Sequence, residues 1–191
     1  MDSRRNRPTE GFTLIEMMIS LAILGILLVS VFSITIETYA YIADTEVDYS
    51  TQAEANQALD RMSEILRKCG WNSAGGLNYP RVTGGGTELQ FRVLRDLDGN
   101  GFPYSATTGE LEWGPMVYTI RQDGGGNLRV FNNTGPVWHL ARYVNSISFA
   151  TYNENPALHL REVQVTLQTR KMTKGGAPID FSLVGTVDMR N

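Results

Sequence analysis

The sequence of 191 residues has one cysteine, two histidines and no excess of basic charge, and each scarcity removes a class of function. A lone Cys69 closes no intramolecular disulfide, so cysteine usage permits an oxidising compartment without indicating one. Cys69 reads as a small apolar residue at a helix end, with a mixed disulfide to a partner as the other reading. The formal net charge of −3 offers no positive field for phosphates, which argues against nucleic acid as the main partner. His139 and His159 fall in no zinc-helix spacing, and His159 reads as an exposed residue at a strand start. The triple glycines at 84–86 and 124–126 lack the Gly-Lys-Ser/Thr ending of a phosphate loop, and no serine sits in a nucleophile elbow. These gaps point away from an enzyme. With 42% hydrophobic and 19% charged residues the chain is not wholly disordered, and its length suits one modest domain plus an extended element.

Charge is scarcest near the N-terminus. Phe12 to Ile36 carries a single charged residue, Glu16. As a helix this stretch would be roughly 37 Å long, enough for a hydrocarbon core of about 30 Å. Arg4, Arg5 and Arg7 precede it, so the rule that counts Lys and Arg keeps the short N-terminus in the cytoplasm and places everything after Ile36 across the membrane. The run is too long for a secretory signal peptide, and Val31-Phe32-Ser33 passes only weakly as a cleavage site for one. A plain single-span anchor fits the length but leaves Glu16 unexplained.

A carboxylate in or near hydrocarbon costs about 2.5–3.5 kcal/mol and usually has a partner. Nothing basic lies within the tract. A cut after Gly11 would create a positive α-amine on Phe12, four residues before Glu16 and on the same helix face. In a helical array that amine would instead meet the glutamate of a neighbour. Either pairing supplies the countercharge.

Gly11-Phe12-Thr13-Leu14-Ile15-Glu16 followed by a long apolar run resembles the type IV prepilin processing motif, shared by major pilins, minor pilins and the pseudopilins of type II secretion. The resemblance implies a prepilin peptidase that cuts after Gly11 and methylates the amine of Phe12. It implies that Glu16 is the assembly glutamate, which recognises the preceding subunit, and that other pilins or pseudopilins and an inner-membrane assembly platform are partners. Two departures stand out. Glu10 precedes the cut where a basic residue is more usual, and the tract lacks the proline of many major pilins, with Gly25 its one weak point. Less reason for a kink leans toward a minor subunit. The presence of Glu16 argues against the tip-capping pseudopilin class.

Glu37 to Lys68 has no proline or glycine, and Leu59, Met62, Leu66 and Cys69 form a stripe at helical spacing before the stop signal Gly70. From Trp71 the pattern changes to period two, with strands expected at 88–94, 116–121, 127–131, 146–151, 161–169 and 181–187. Val163, Val165 and Leu167 alternate most cleanly. Asp123 to Asn127 reads as a hairpin turn, and Lys174-Gly175-Gly176 with Pro178 as another. The expected fold is therefore α+β and pilin-like: a long N-terminal helix, transmembrane in its lower half, packed against a C-terminal antiparallel sheet domain. The divisions are a leader at 1–11, a transmembrane helix at 12–36, an amphipathic continuation at 37–70 and a β-rich head at 71–191. The stretch Val117 to Phe131, with the glycine-rich loops before it, resembles larger minor pilins and J-type pseudopilins.

Asp96-Leu97-Asp98-Gly99-Asn100-Gly101 opens like a calcium loop, with Asp96, Asp98 and Asn100 at the first, third and fifth places and a glycine sixth. The twelfth place, where a bidentate glutamate belongs, is Thr107. Glu110 and Glu112 substitute only through a different loop path, and no helix signal precedes the loop. A calcium site and a plain Asp/Asn/Gly turn both stay open.

The functional expectation is a minor pilin or pseudopilin that assembles by its N-terminal helix into, or at the tip of, a type IV pilus or type II secretion pseudopilus. The competing class is a single-span periplasmic binding or adhesion module that does not polymerise. A calcium-dependent enzyme would need a cleft and catalytic groups that the sequence does not offer.

Overall fold

The computed structural model describes residues 12–70, 72–74 and 77–189. The leader expected at 1–11, Gly11 included, lies outside them. The chain divides into two compact units, Met1–Asp44 and Thr45–Asn191.

One helix, α1 (Leu14–Arg67), supplies the described helical part of the first unit and enters the second. In the first unit every residue from Phe12 to Ile42 is exposed. The hydroxyls of Ser30, Thr35 and Thr38 donate to the carbonyls of Ile26, Val31 and Ile34 at 2.9, 2.8 and 2.7 Å. These three hydroxyls are therefore satisfied by the helix's own backbone, as a non-aqueous surrounding demands.

In the second unit α1 buries Thr51, Ala55, Ala58, Met62 and Leu66, three or four residues apart. The expected stripe holds for Met62, Leu66 and Cys69, but Leu59 sits at its margin, half-buried. The seam continues instead through the small residues Ala58, Ala55 and Thr51, which permit close approach of the sheets. The helix stops at Arg67, two residues earlier than the expected Cys69. Lys68 and Cys69 donate to the carbonyls of Ile65 and Leu66 in a tightened last turn, and Cys69 then bridges Val93.

Among the described residues the strands form three antiparallel sheets rather than one. A small one pairs β1 (Asn72–Ala74) with β2 (Leu77–Tyr79). The second contains β3 (Arg81–Thr83), β4 (Glu88–Phe91), β5 (Tyr118–Gln122), β6 (Leu128–Asn132) and β7 (Gly135–Ala141), in that order. The third contains β8 (Val144–Ala150), β9 (Glu162–Met172) and β10 (Pro178–Asp188), ordered β10-β9-β8. All six expected strands are present, β4 shortened to Phe91; β1, β2, β3 and β7 were not expected. Val163, Val165 and Leu167 alternate into the core as their pattern dictates, meeting the helix stripe. Together these elements give the α+β, pilin-like arrangement.

Contacts at Gly185 and Glu54 help fasten α1 to the sheets. Gly185 of β10 lies so close to Leu59 that a Cβ there would stand 2.6 Å from Leu59 Cδ2. At the β7–β8 corner, Glu54 accepts the Arg142 N–H at 2.9 Å and pairs with Lys171 at 3.3 Å. Lys171 also donates to Ser50 Oγ and lies 4.8 Å from the centroid of the Tyr143 ring. Tyr143 holds a φ of 56°, the sharp turn of that corner.

Candidate processing and assembly site

The first described residues explain how α1 begins. Thr13 precedes the helix, and its N–H donates to Glu16 Oε2 at 2.9 Å. Its hydroxyl donates to the same oxygen at 3.1 Å, while the Glu16 N–H donates back to Thr13 Oγ1 at 3.3 Å. This is a capping box, Thr at the cap and Glu three residues on, satisfying two amides that a helix start otherwise leaves open. The glutamate also lies at the positive end of the helix dipole. Glu16 thus has a partner within its own chain, where the charge pattern alone left it without one. The motif Thr-x-x-Glu was the available signal. Phe12 lies outside the helix, ahead of the cap, with 81% of its surface exposed. The helix accordingly begins at Leu14, just past Phe12 and the cap.

From Leu14 onward α1 is long and apolar enough to cross a membrane, and none of that apolar window is buried by the protein. Between Phe12 and Ile36 Glu16 is the only charge, so the carboxylate marks one end of an otherwise apolar surface.

The acidic loop takes the alternative path. Leu94 bridges Trp113 and Tyr104 bridges Leu111, folding 94–113 into a hairpin-like excursion. This brings Glu112, not Thr107 or Glu110, to Asp96 and Asp98: one oxygen from each of the three carboxylates lies within 4.8 Å of the others. Asp96 accepts the N–H groups of Gly99, Asn100 and Gly101, and Glu112 accepts those of Leu97 and Asp98. Asp98 accepts the Ala106 N–H at 2.8 Å, and chiefly this bond holds its carboxyl below the usual 3.8. Asn100 donates its side-chain amide to the Tyr104 carbonyl and to Asp98 Oδ2 at 3.2 Å, and it accepts the Phe102 N–H. None of the ion pairs among the described residues involves the three carboxylates. Their negative charge is met by amide dipoles alone, an arrangement with hard oxygens suited to a cation such as calcium.

The histidines stay apart. His159 is exposed in the turn before β9. His139 lines a cavity of about 380 Å3 with Arg61, Glu64, Lys68 and Trp138, and no serine, threonine or cysteine lines it. Cys69 is buried and free, and burial pushes its thiol well above the ordinary value.

Comparison with known proteins gives one finding. A family model described as the prokaryotic N-terminal methylation motif matches residues 6–32. Neither the curated proteins nor the solved structures compared provide a match. The match spans the expected cleavage bond after Gly11, the cap and most of the apolar tract. It supports a type IV pilin-like, membrane-anchored subunit that is processed and methylated, and it points to a structural role rather than to catalysis.

Proposed function

We propose that this protein is a minor pilin or pseudopilin, held in the inner membrane until it is drawn into a short fibre. The observation that carries the reading is the methylation motif at residues 6–32, lying over a capped helix start and an uncovered apolar helix. The prepilin peptidase cuts between Gly11 and Phe12 and methylates the new amine. The three N-terminal arginines keep the leader in the cytoplasm and set the β-rich head on the periplasmic side. Apolar helices of neighbouring subunits then replace lipid, and Glu16 meets the amine of Phe12 on a neighbour, exchanging its own-chain amide for a charge. Other pilins or pseudopilins and an inner-membrane assembly platform are the partners. The lack of a proline in the tract and the β-rich head support a minor subunit.

The mass of the mature N-terminus tests this. Loss of residues 1–11 with one added methyl on Phe12 supports the assembly subunit. An intact leader instead makes the chain a permanently anchored binding or adhesion module.

A subsidiary proposal is that the Asp96–Asp98–Glu112 loop takes a calcium ion, supported by the convergence of three carboxylates without a basic partner. Millimolar calcium should then raise the melting temperature while equal magnesium does not. No shift, or the same shift in an Asp98→Asn variant, sinks it.

A further inference from the structure

A sheet edge left open is a template for another strand, and proteins generally blunt such edges. Three of the outer strands here are managed. β3 is only three residues long. β7 contains Pro136, slips twice in register against β6, and has its Leu140 carbonyl bonded to the Arg61 guanidinium at 3.3 Å. β8 lies against β4 and β5 of the neighbouring sheet.

β10 has only one of these devices, a proline at its first residue, Pro178. It runs for 11 residues and pairs with β9 throughout without a register shift. From Phe181 to Val187 it has neither charge nor proline. Asp180, just before, is held by Arg170 of β9 at 2.6 and 2.9 Å. Among the described residues no turn or loop hydrogen bond reaches its backbone. Every second residue of an edge strand aims its N–H and C=O away from the sheet, and extended backbone is what pairs with such a row. The side chains agree. Ile179, Phe181 and Leu183, on the face whose Gly185 meets Leu59, are only half-buried, while Val184 on the other face is 57% exposed.

We propose that β10 is a docking edge for an extended, amphipathic segment of a different polypeptide, which adds to the sheet as a fourth strand. The segment carries apolar residues at alternate positions, completing the cover over Ile179, Phe181 and Leu183. A Lys or Arg of the segment meets Asp188 and Asp60. Those two acids line one groove of about 770 Å3 with Glu64, Arg67 and Lys68; Lys68 pairs with Glu64, and neither Asp60 nor Asp188 joins an ion pair among the described residues. A second copy of this chain fits poorly. Two β10 strands pair antiparallel about a two-fold axis, which closes a dimer, whereas a fibre needs a repeating same-sense contact. The other open edge that a copy offers, β7, is blunted. This choice of partner rests on the proposed function; the open edge does not.

The test uses the full chain in detergent micelles and a synthetic peptide of about nine residues, alternating valine and threonine with a lysine at each end. Hydrogen exchange should slow at β10 amides on adding the peptide, and by fluorescence anisotropy Val184→Lys should weaken binding at least about tenfold, with Val184→Thr near wild type. The melting temperature of both variants should match the parent, since Val184 is exposed. A peptide that protects no β10 amide, or protects β7 instead, overturns the proposal. So does β10 protection without peptide that Val184→Lys abolishes, which would identify a second copy as the occupant. None of these outcomes depends on whether the leader is cut.

Discussion

Replacing Gly185 by alanine would test how closely helix and sheet are fitted. The backbone of Gly185 is not in the left-handed region, so the substitution imposes no dihedral strain and the effect is steric. The added Cβ would stand 2.6, 2.9 and 3.3 Å from Cδ2, Cδ1 and Cγ of Leu59. Carbon pairs are content at about 3.5–4.0 Å, so Leu59 must retreat by roughly 1 Å or change rotamer. Leu59 is half-buried and has some freedom to move, which sets the penalty in the lower part of the overpacking range, about 1–3 kcal/mol. Alanine returns about 0.4–1 kcal/mol by restricting the unfolded chain. The net loss is therefore about 0.5–1.5 kcal/mol, a fall of roughly 1–6 °C for a domain of this size. Thermal melting followed by circular dichroism, on the full chain in detergent, reads it. The double variant Gly185→Ala with Leu59→Ala removes the clash, so its loss should be smaller than the sum of the single losses. A Gly185→Ala protein as stable as the parent, or additive losses, would refute the close-packing argument.

Other perturbations follow from the same contacts. Glu16→Ala should still insert and still be cut but assemble poorly, whereas Glu16→Gln keeps an acceptor for the Thr13 N–H without the charge; normal assembly of Glu16→Gln in a complementation assay would dismiss charge pairing. Glu54→Ala leaves the Arg142 N–H and Lys171 without their acceptor at the β7–β8 corner and should cost about 1–3 kcal/mol in denaturant unfolding, with a loss under about 0.5 kcal/mol counting against the clamp. Acid should destabilise the head: Asp98, Asp123 and Asp180 are held below 3.8 by the Ala106 amide, the Asn127 amide and the Arg170 guanidinium respectively. Depressed carboxylates contribute stability that is complete above 3.8 and lost as pH falls through their lowered values, so melting temperatures should fall below that point and Asp180→Asn should flatten part of the fall.

Local patterns carried far where the physics was local. The period-two run of Val163, Val165 and Leu167 turned inward because alternate side chains of a strand share a face. The hairpin at Asp123–Asn127 formed because Asp123 accepts the amides of Gly125 and Asn127 at 2.9 Å each, a bond set within five residues. β7 escaped notice because Gly-Pro-Val-Trp-His-Leu-Ala does not alternate, and it exists because β6 offers an edge beside it. The helix seam through Ala58, Ala55 and Thr51 was equally illegible, since small residues announce no stripe until a sheet closes on them.

At the N-terminus the sequence by itself determined an apolar helix with one acid, because length and composition fix what can enter hydrocarbon. Thr-x-x-Glu was also written there, yet the tertiary description was needed to reveal that Glu16 already holds the Thr13 amide. Beyond Thr45 the balance reverses. Only the folded chain decided that Glu112 joins Asp96 and Asp98 and, among the described residues, that the strands divide among three sheets with β10 at an open edge. Contacts between residues distant in sequence depend on which surfaces meet, and no local periodicity encodes that.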